Sequence, residues 1–86
     1  MRIEDVLDVV KENCYVLVTI NKKVTKAFAY KNNTNNIYFF QNEFQGSAPY
    51  NFNSIKKKYN LNYKYSWAIN SSVSNIEILN EVSWWW

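Results

Sequence analysis

The side chains that could do chemistry in this sequence are few, and the acidic ones are concentrated near its start. Glu4, Asp8 and Glu12 follow one another at intervals of four residues, with Asp5 beside them. On a helix this spacing places them on one face. Such a stripe is either a hard-cation or docking site or the solvated face of an amphipathic helix. One helix does not bring acids a turn apart onto one ion, so we expect the solvated face.

The residue types that are absent exclude most familiar catalytic chemistry. The sequence has no histidine and one cysteine, Cys14. It therefore lacks Ser-His-Asp and Cys-His machinery, the usual zinc ligand and any thiolate metal site. Its one glycine excludes the P-loop and the dinucleotide fingerprint, which need several glycines. We expect a protein that binds and does not catalyse, with no cofactor and no metal.

Charge is distributed unevenly, and the lysines lie in the middle of the chain. The net charge is −2 for residues 1–20, +7 for 21–70 and −2 for 71–86, which sums to +3. The lysines form either a surface for phosphate groups or an acidic partner, or the ordinary solubilising lysines of an AT-biased gene. Base readers rely on arginine, and Arg2 is the only one. The candidate binding lysines are Lys22, Lys23, Lys56, Lys57, Lys58 and Lys64.

Two aromatic clusters need an explanation. Tyr63, Tyr65 and Trp67 alternate along residues 62–70, so a strand would place them on one side. They form either core beneath the first helix or a stacking face for bases or a nucleotide ring. The last three residues are Trp84, Trp85 and Trp86, which alternation divides between two sides of a strand. They either close the core or form a protein-binding edge, since exposed tryptophan is common at interfaces.

Hydrophobic periodicity indicates the elements that must position these side chains. Ile3, Val6, Leu7 and Val10 form the stripe of an amphipathic helix over residues 3–13, with Asn13 as its stop. The period then changes to two, which predicts strands at 15–20, 24–30, 37–41, 62–70 and 76–79. A short helix over 54–59 follows a long loop, with Asn53 as N-cap and Phe52 as a hydrophobic staple.

The order of these elements predicts an α+β fold. An N-terminal amphipathic helix packs on a mostly antiparallel sheet of about five strands, and a second short helix follows the third strand. The 86 residues are expected to form a single domain, 1–86. The acidic opening does not resemble a signal peptide, no apolar run approaches the roughly 20 residues of a membrane span, and one cysteine suits a reducing compartment. We expect a cytoplasmic protein with no membrane contact.

Composition and two short segments suggest an origin. Asparagine occurs 14 times and arginine once, which indicates an AT-rich bacterial, phage or plasmid genome. The opening EDVLDVVKEN with YVLVTI resembles small phage-encoded proteins of AT-rich Firmicutes, a class rich in inhibitors of bacterial immunity such as anti-CRISPR proteins. SNIEILNEVSW is similar to the C-terminal pattern of phage sponge proteins that sequester signalling nucleotides, apart from an inserted Val82.

These resemblances imply a function in evading host defence. The favoured hypothesis is a stoichiometric inhibitor that binds a bacterial protein, such as a CRISPR effector, through the C-terminal tryptophans and the lysines. The alternative is a nucleotide- or nucleic-acid-binding module that uses the lysine-rich middle and the face formed by Tyr63, Tyr65 and Trp67. A second copy of the chain is a further candidate partner. No site residues of either family are transferred to this sequence.

Overall fold

The computed structural model describes residues 3–70 and 72–79 of the chain. These residues contain two short helices and five strands. Their order is α1 (Ile3–Val9), β1 (Cys14–Ile20), β2 (Lys23–Lys31), β3 (Ile37–Gln41), α2 (Phe52–Tyr59), β4 (Tyr65–Ala68) and β5 (Val73–Ile78). The predicted sequence of elements is confirmed. The interface predicted at Trp84, Trp85 and Trp86 lies outside the described residues.

The five strands form one sheet in the order β4-β3-β2-β1-β5, and every neighbouring pair is antiparallel. The last strand, β5, returns to pair with β1, so that β4 and β5 are the two edges of the sheet. α1 packs against β5 on one face, whereas the residues of α2 pack on the other. The fold is therefore α+β with a mostly antiparallel sheet, as predicted.

A two-residue turn at Asn21 and Lys22 joins β1 to β2. Both residues have positive φ, 50° and 66°, and Ile20 pairs directly with Lys23. These are the features of a type I′ turn, whose twist matches that of the strands it joins. The turn fixes the register of β1, and register decides which side chains of a strand face each helix.

Alternation along the strands gives the sheet two apolar faces, because successive side chains point to opposite sides. The face beneath α1, here the α1 face, buries Val6, Val10, Val16, Val18, Ile20, Ala27, Ala29, Ile37, Phe39, Trp67, Val73 and Ile76. The opposite face, here the α2 face, is mostly aromatic and buries Phe28, Phe40, Ile55, Leu61 and Tyr63. The prediction that the first helix and first strand share a core is confirmed.

Both helices differ from their predicted bounds. α1 ends at Val9 and not at Asn13, whose side chain instead bonds to residues of β2 and α2. α2 begins at Phe52, so the predicted N-cap at Asn53 and staple at Phe52 are wrong. Phe52 packs on the sheet, where its ring is stacked on that of Phe40 with 5.2 Å between the centroids.

Candidate functional site: a tyrosine groove with lysines beside it

Trp67, predicted as either core or stacking ring, is a core residue of the α1 face with 4% of its surface exposed. The rings of Phe39 and Phe44 pack against it, with centroids 4.6 and 6.0 Å away. Its indole Nε1–H donates a hydrogen bond to Oε1 of Gln41 at 2.6 Å. The Gln41 amide in turn donates to the hydroxyl of Thr25. This buried network fixes the Trp67 ring in the core.

Tyr63, Tyr65 and Trp67 do not form one face, and that prediction is wrong. β4 comprises only Tyr65–Ala68, so Tyr63 lies outside the alternation and packs on the α2 face. Tyr63 and Trp67 are both buried, and only Tyr65, at 36%, is exposed. Stacking needs open ring faces. The core alternative beneath the first helix is therefore correct for Trp67, whereas Tyr63 belongs to the opposite core.

The chain reversal after α2 explains where Tyr63 lies. Asn60 ends α2 in the left-handed conformation, with φ of 55°, which asparagine adopts more readily than most residues. The amide of Leu61 donates to the carbonyl oxygen of Lys56 at 2.8 Å. The chain therefore turns back, and Leu61 and Tyr63 join Tyr59 on the α2 face. This reversal builds the walls of a groove.

The groove, here the tyrosine groove, has a volume of about 490 Å³. It is lined by Tyr15, Asn42, Tyr59, Asn60, Leu61, Asn62 and Tyr63. A second cavity of about 240 Å³ shares Asn42 and Tyr63 with it and is also lined by Lys26. Apolar and aromatic walls with a few polar groups, in a volume of roughly 300–1,000 Å³, are typical of small-molecule sites.

Hydrogen bonds from distant parts of the chain position the groove. Nδ2 of Asn13 donates to the Tyr59 hydroxyl at 2.8 Å, and Oδ1 of Asn13 accepts from the backbone N–H of Lys31 at 2.9 Å. At the other end, the backbone N–H of Lys64 donates to Oδ1 of Asn42 at 2.7 Å. These bonds join the wall residues to β2 and to the segments that follow α1 and β3.

Four of the six candidate lysines lie on or just after α2. The Lys58 ammonium is 5.4 Å from the centre of the Tyr59 ring, a wall of the groove. The Lys56 ammonium is 5.1 Å from the centre of the Phe52 ring. Lys57 is exposed on the same helix, and Lys64 is exposed next to the wall residue Tyr63. Lys56, Lys57 and Lys58 are thus consecutive on one helix, and a phosphate-binding role for them stays a prediction.

The other two candidate lysines do not belong to this surface. Lys22 is in the β1–β2 turn, seven residues along the chain from the wall residue Tyr15, or about 20 Å at the rise of an extended strand. Lys23 follows it and forms an ion pair with Glu43 at 2.7 Å.

Two of the groove tyrosines, Tyr15 and Tyr63, are neutral phenols at pH 7. Burial raises the pKa of Tyr15, and burial, followed by the neighbouring Tyr15, raises the pKa of Tyr63. Neither ring therefore carries a negative charge at pH 7 that would repel an anion. Burial, followed by the charge of Glu12, raises the pKa of the Cys14 thiol, which keeps it from the thiolate form that nucleophilic chemistry needs.

The acidic stripe does not form a cation site. α1 ends at Val9, before Glu12, so the stripe is broken. Asp8 is exposed and pairs with Lys11 at 4.0 Å. Within residues 3–70 and 72–79, no three histidine, cysteine, aspartate or glutamate side chains come together as possible metal ligands.

The uneven charge of the sequence becomes two charged poles. α1, with Glu4, Asp5 and Asp8, packs against β5, which carries Glu77. Glu77 alternates with Ile76, a residue of the α1 face, so it lies on the other face of the sheet, as do the lysines of α2. Here, the acidic pole means α1, and the basic pole means α2 with Lys64.

Comparisons with known proteins leave this site to be interpreted from its own geometry. Protein-family models, curated proteins and solved structures give no match to the chain. The likeness to phage inhibitors stays a hypothesis. Of the helices in the described residues, neither has the length and apolar character that a membrane span requires.

Sequence reasoning missed most of the groove. Tyr15 is out of phase with the buried Val16 and Val18, a signal that it faces the other side of the sheet. Asn60 directly follows an amphipathic helix, where a left-handed cap is common. The asparagines of the groove were discounted in the sequence because AT-rich codons explain their number. Asn13 was assigned to a helix end, although its role is to hold Tyr59.

Proposed function

We propose that this chain is a non-enzymatic binding protein whose tyrosine groove takes a small anionic ligand with a flat ring, the chemistry of a nucleotide. One observation carries the proposal: a single groove of about 490 Å³ combines three tyrosine rings with three asparagine side chains, and the Lys58 ammonium lies over one of those rings. Each element matches a different part of a nucleotide.

The half-buried rings of Tyr15 and Tyr59 suit the base, because an aromatic contact to a base contributes about 1–3 kcal/mol and accepts any base, while the buried Tyr63 forms the floor of the groove. The asparagine amides offer both donors and acceptors to its polar edge. Lysine ammonium groups bind phosphate as point charges. The neutral phenols of Tyr15 and Tyr63 do not repel an anion.

The test is a titration with ligands that separate these contributions. Adenosine monophosphate and cyclic di-adenosine monophosphate are added to the protein, and binding is followed by calorimetry and by amide chemical shifts. Adenosine, which lacks the phosphate, and inorganic phosphate, which lacks the base, are the controls. We expect both controls to bind at least about tenfold more weakly, and nucleotide affinity to fall steeply with salt.

A matched pair of variants locates the site. Lys58→Glu and Lys22→Glu change the net charge identically, from +3 to +1. Of the two, only Lys58 contacts a wall residue of the groove, Tyr59, so Lys58→Glu should weaken nucleotide binding about tenfold or more, whereas Lys22→Glu should change it less than about twofold. Equal effects would mean that only net charge matters. That result, or no binding of either nucleotide, would reject the groove as a nucleotide site.

A second candidate function is stoichiometric inhibition of a bacterial protein, and the separation of charge into two poles favours it. A small protein with an acidic and a basic pole can match two regions of a charged partner surface, which gives orientation and fast association. In this proposal the chain acts in the host cytoplasm as a phage-encoded inhibitor of a CRISPR effector or another defence complex.

This second function has its own assay. The chain is expressed in bacteria whose CRISPR system targets a phage, and plaque formation is counted. Restored plaques with a stoichiometric complex between the chain and the purified effector would support it. Unchanged interference against the effector types tested, together with no complex by sizing chromatography, would reject it for those systems. The variant Lys56→Glu/Lys57→Glu/Lys58→Glu should lose the activity if the basic pole makes the contact.

A further inference from the structure

The sheet has two edges, and the described residues guard only one of them. Along β4, the amide of Gly46 donates to the carbonyl oxygen of Ser66 at 3.0 Å. A Cβ on Gly46 would lie 2.9 Å from Cβ of Trp67, so glycine permits the long loop to approach this closely. Because the loop already bonds to this edge, another strand cannot pair with it without displacing the loop.

At β5, the pairing with β1 determines which backbone groups point outward. The amide of Leu79 donates to the carbonyl oxygen of Tyr15 at 2.9 Å, so residue 79 directs its backbone groups toward β1. In an antiparallel pair these groups alternate in direction from one residue to the next. The N–H and C=O groups of Ile76 and Ile78 therefore point away from the sheet. No other strand of the described residues lies beside them.

β5 lacks two of the usual means of protecting an edge strand, proline and lysine, although it carries Glu77 and packs against α1. Natural edges are blunted by proline, by lysine, by bulges or by a covering loop. The residues of β5, VSNIEI, include neither proline nor lysine. The irregularity in its pairing with β1 is confined to the beginning of the strand, near Ile20. Ile78 is 37% exposed. Within residues 3–70 and 72–79, a regular stretch around Ile76 and Ile78 thus has no strand paired on its outer side.

The surroundings of this edge are acidic. α1, which packs against β5, carries Glu4, Asp5 and Asp8. Asp8 pairs with Lys11, and residues 1–20, which include Arg2, keep a net charge of −2. Glu77 is exposed on the other face of the strand. No lysine or arginine follows Lys64 in the sequence. We propose that the open edge of β5 binds an extended, basic segment of a partner protein and adds it to the sheet as a sixth strand.

Charge argues against a second copy of this chain as the occupant. Two β5 strands that paired antiparallel would be related by a two-fold axis normal to the sheet. That operation keeps both α1 helices on the same face and brings them side by side. Like charges on neighbouring elements repel, and α1 carries three carboxylates. A strand with lysine or arginine side chains would instead be attracted on both faces of the sheet, by α1 on one face and by Glu77 on the other.

The experiment uses the full chain and three synthetic ten-residue peptides. The first alternates lysine and valine, the second has glutamate in place of lysine, and the third is the lysine peptide with every backbone nitrogen methylated. Binding is followed by amide chemical shifts and hydrogen exchange. We expect only the first peptide to bind, with a Kd of about 1 mM or tighter, and to slow exchange of the Ile76 and Ile78 amides about tenfold or more.

Variants at one position separate the backbone group from the side chain. Ile78→Pro removes an outward N–H, which a strand edge tolerates, whereas Ile78→Thr keeps it. The first variant should lose peptide binding at least about tenfold, and the second should retain it. Because this edge and the tyrosine groove are separate, Lys58→Glu should leave peptide binding unchanged even if the nucleotide proposal fails.

Several outcomes would overturn the proposal. Equal binding of the lysine and glutamate peptides would remove the role of charge, and binding of the methylated peptide would remove the role of the backbone. Shifts confined to α2, or no shifts with any peptide, would exclude the edge. A dimer of the full chain that Ile78→Pro dissociates in sedimentation would show that a second copy is the occupant.

Discussion

The buried hydrogen bond between Gln41 and Trp67 should make Gln41 one of the most sensitive polar positions in the protein. Gln41 is 1% exposed, and its amide accepts from the Trp67 indole at 2.6 Å while donating to Thr25 and to the carbonyl oxygen of Lys26 at 3.2 Å. Gln41→Leu keeps a side chain of similar size but removes every one of these bonds.

The magnitude follows from the one donor and the one buried hydroxyl acceptor that lose their partner. A buried polar group left without a hydrogen bond costs about 1–3 kcal/mol, and the Trp67 indole N–H loses its acceptor while the Thr25 hydroxyl loses its donor. We expect the free energy of unfolding to fall by about 2–4 kcal/mol. For a chain of this length that lowers Tm by roughly 10–25 °C.

Chemical denaturation followed by circular dichroism is the assay, and the other glutamine in the sequence is the control. Gln45 is exposed in the long loop, so Gln45→Leu should change stability by less than about 0.5 kcal/mol. In a Trp67→Phe background the indole donor is gone, and Gln41→Leu should cost about 1–2 kcal/mol less. A wild-type denaturation midpoint for Gln41→Leu, or full additivity of the two changes, would refute the network.

Four further predictions follow from the same structure. Val6 is fully buried, whereas Leu7 is half-buried. In thermal melts Val6→Asp should therefore be more destabilising than Leu7→Asp, by about 1 kcal/mol or more. Burial raises the pKa of Tyr63 in the folded state above the ordinary value of about 10 that the unfolded chain keeps. Above about pH 10 the unfolded chain therefore loses this proton while the folded protein holds it. The free energy of unfolding should fall as pH rises from there, and it should fall less in Tyr63→Phe. Asn60→Val should cost about 1–2 kcal/mol and Asn60→Gly almost nothing, since the position is left-handed, as paired denaturation curves would show. The Ser66 hydroxyl is buried without a hydrogen-bond partner in the described residues, so Ser66→Ala should leave Tm unchanged or raise it.

Local pattern was enough to predict most elements but not the path of the chain between them. The helix stripe and β3 were read correctly because a period of 3.6 or 2 depends only on near neighbours. Residues 62–70 alternate as a strand would, yet Asn60 reverses the chain and the Lys64 amide bonds to Asn42. Residues 61–64 are thereby held outside β4. An alternation of polar and apolar residues indicates which side chains share a face, but it does not indicate where the backbone turns.

Local sequence patterns could not predict the groove or the position of the acidic pole, because both depend on contacts between residues that are far apart in the sequence. Tyr15 and Tyr63 face the same groove although they are 48 positions apart. β5 pairs with β1 across most of the chain, and that pairing places β5 beside α1, although the two elements lie near opposite ends of the sequence. By contrast, the sequence was enough to place Lys56, Lys57 and Lys58 on one helix, because they occupy consecutive positions in it.

The position of the acids helps to explain how an open edge can be compatible with a monomer. An unguarded strand invites pairing with any other chain, including copies of itself. At β4 this chain prevents that with a loop, through the bond between Gly46 and Ser66. At β5 the described residues offer no such cover, but the adjacent α1 is acidic, so a second copy would bring like charges together. Repulsion of that kind acts against self-pairing and leaves a basic strand free to bind. Neutralising α1 with Glu4→Gln/Asp5→Asn/Asp8→Asn should therefore promote self-association in sedimentation, and a variant that stayed monomeric would show that something other than charge protects this edge.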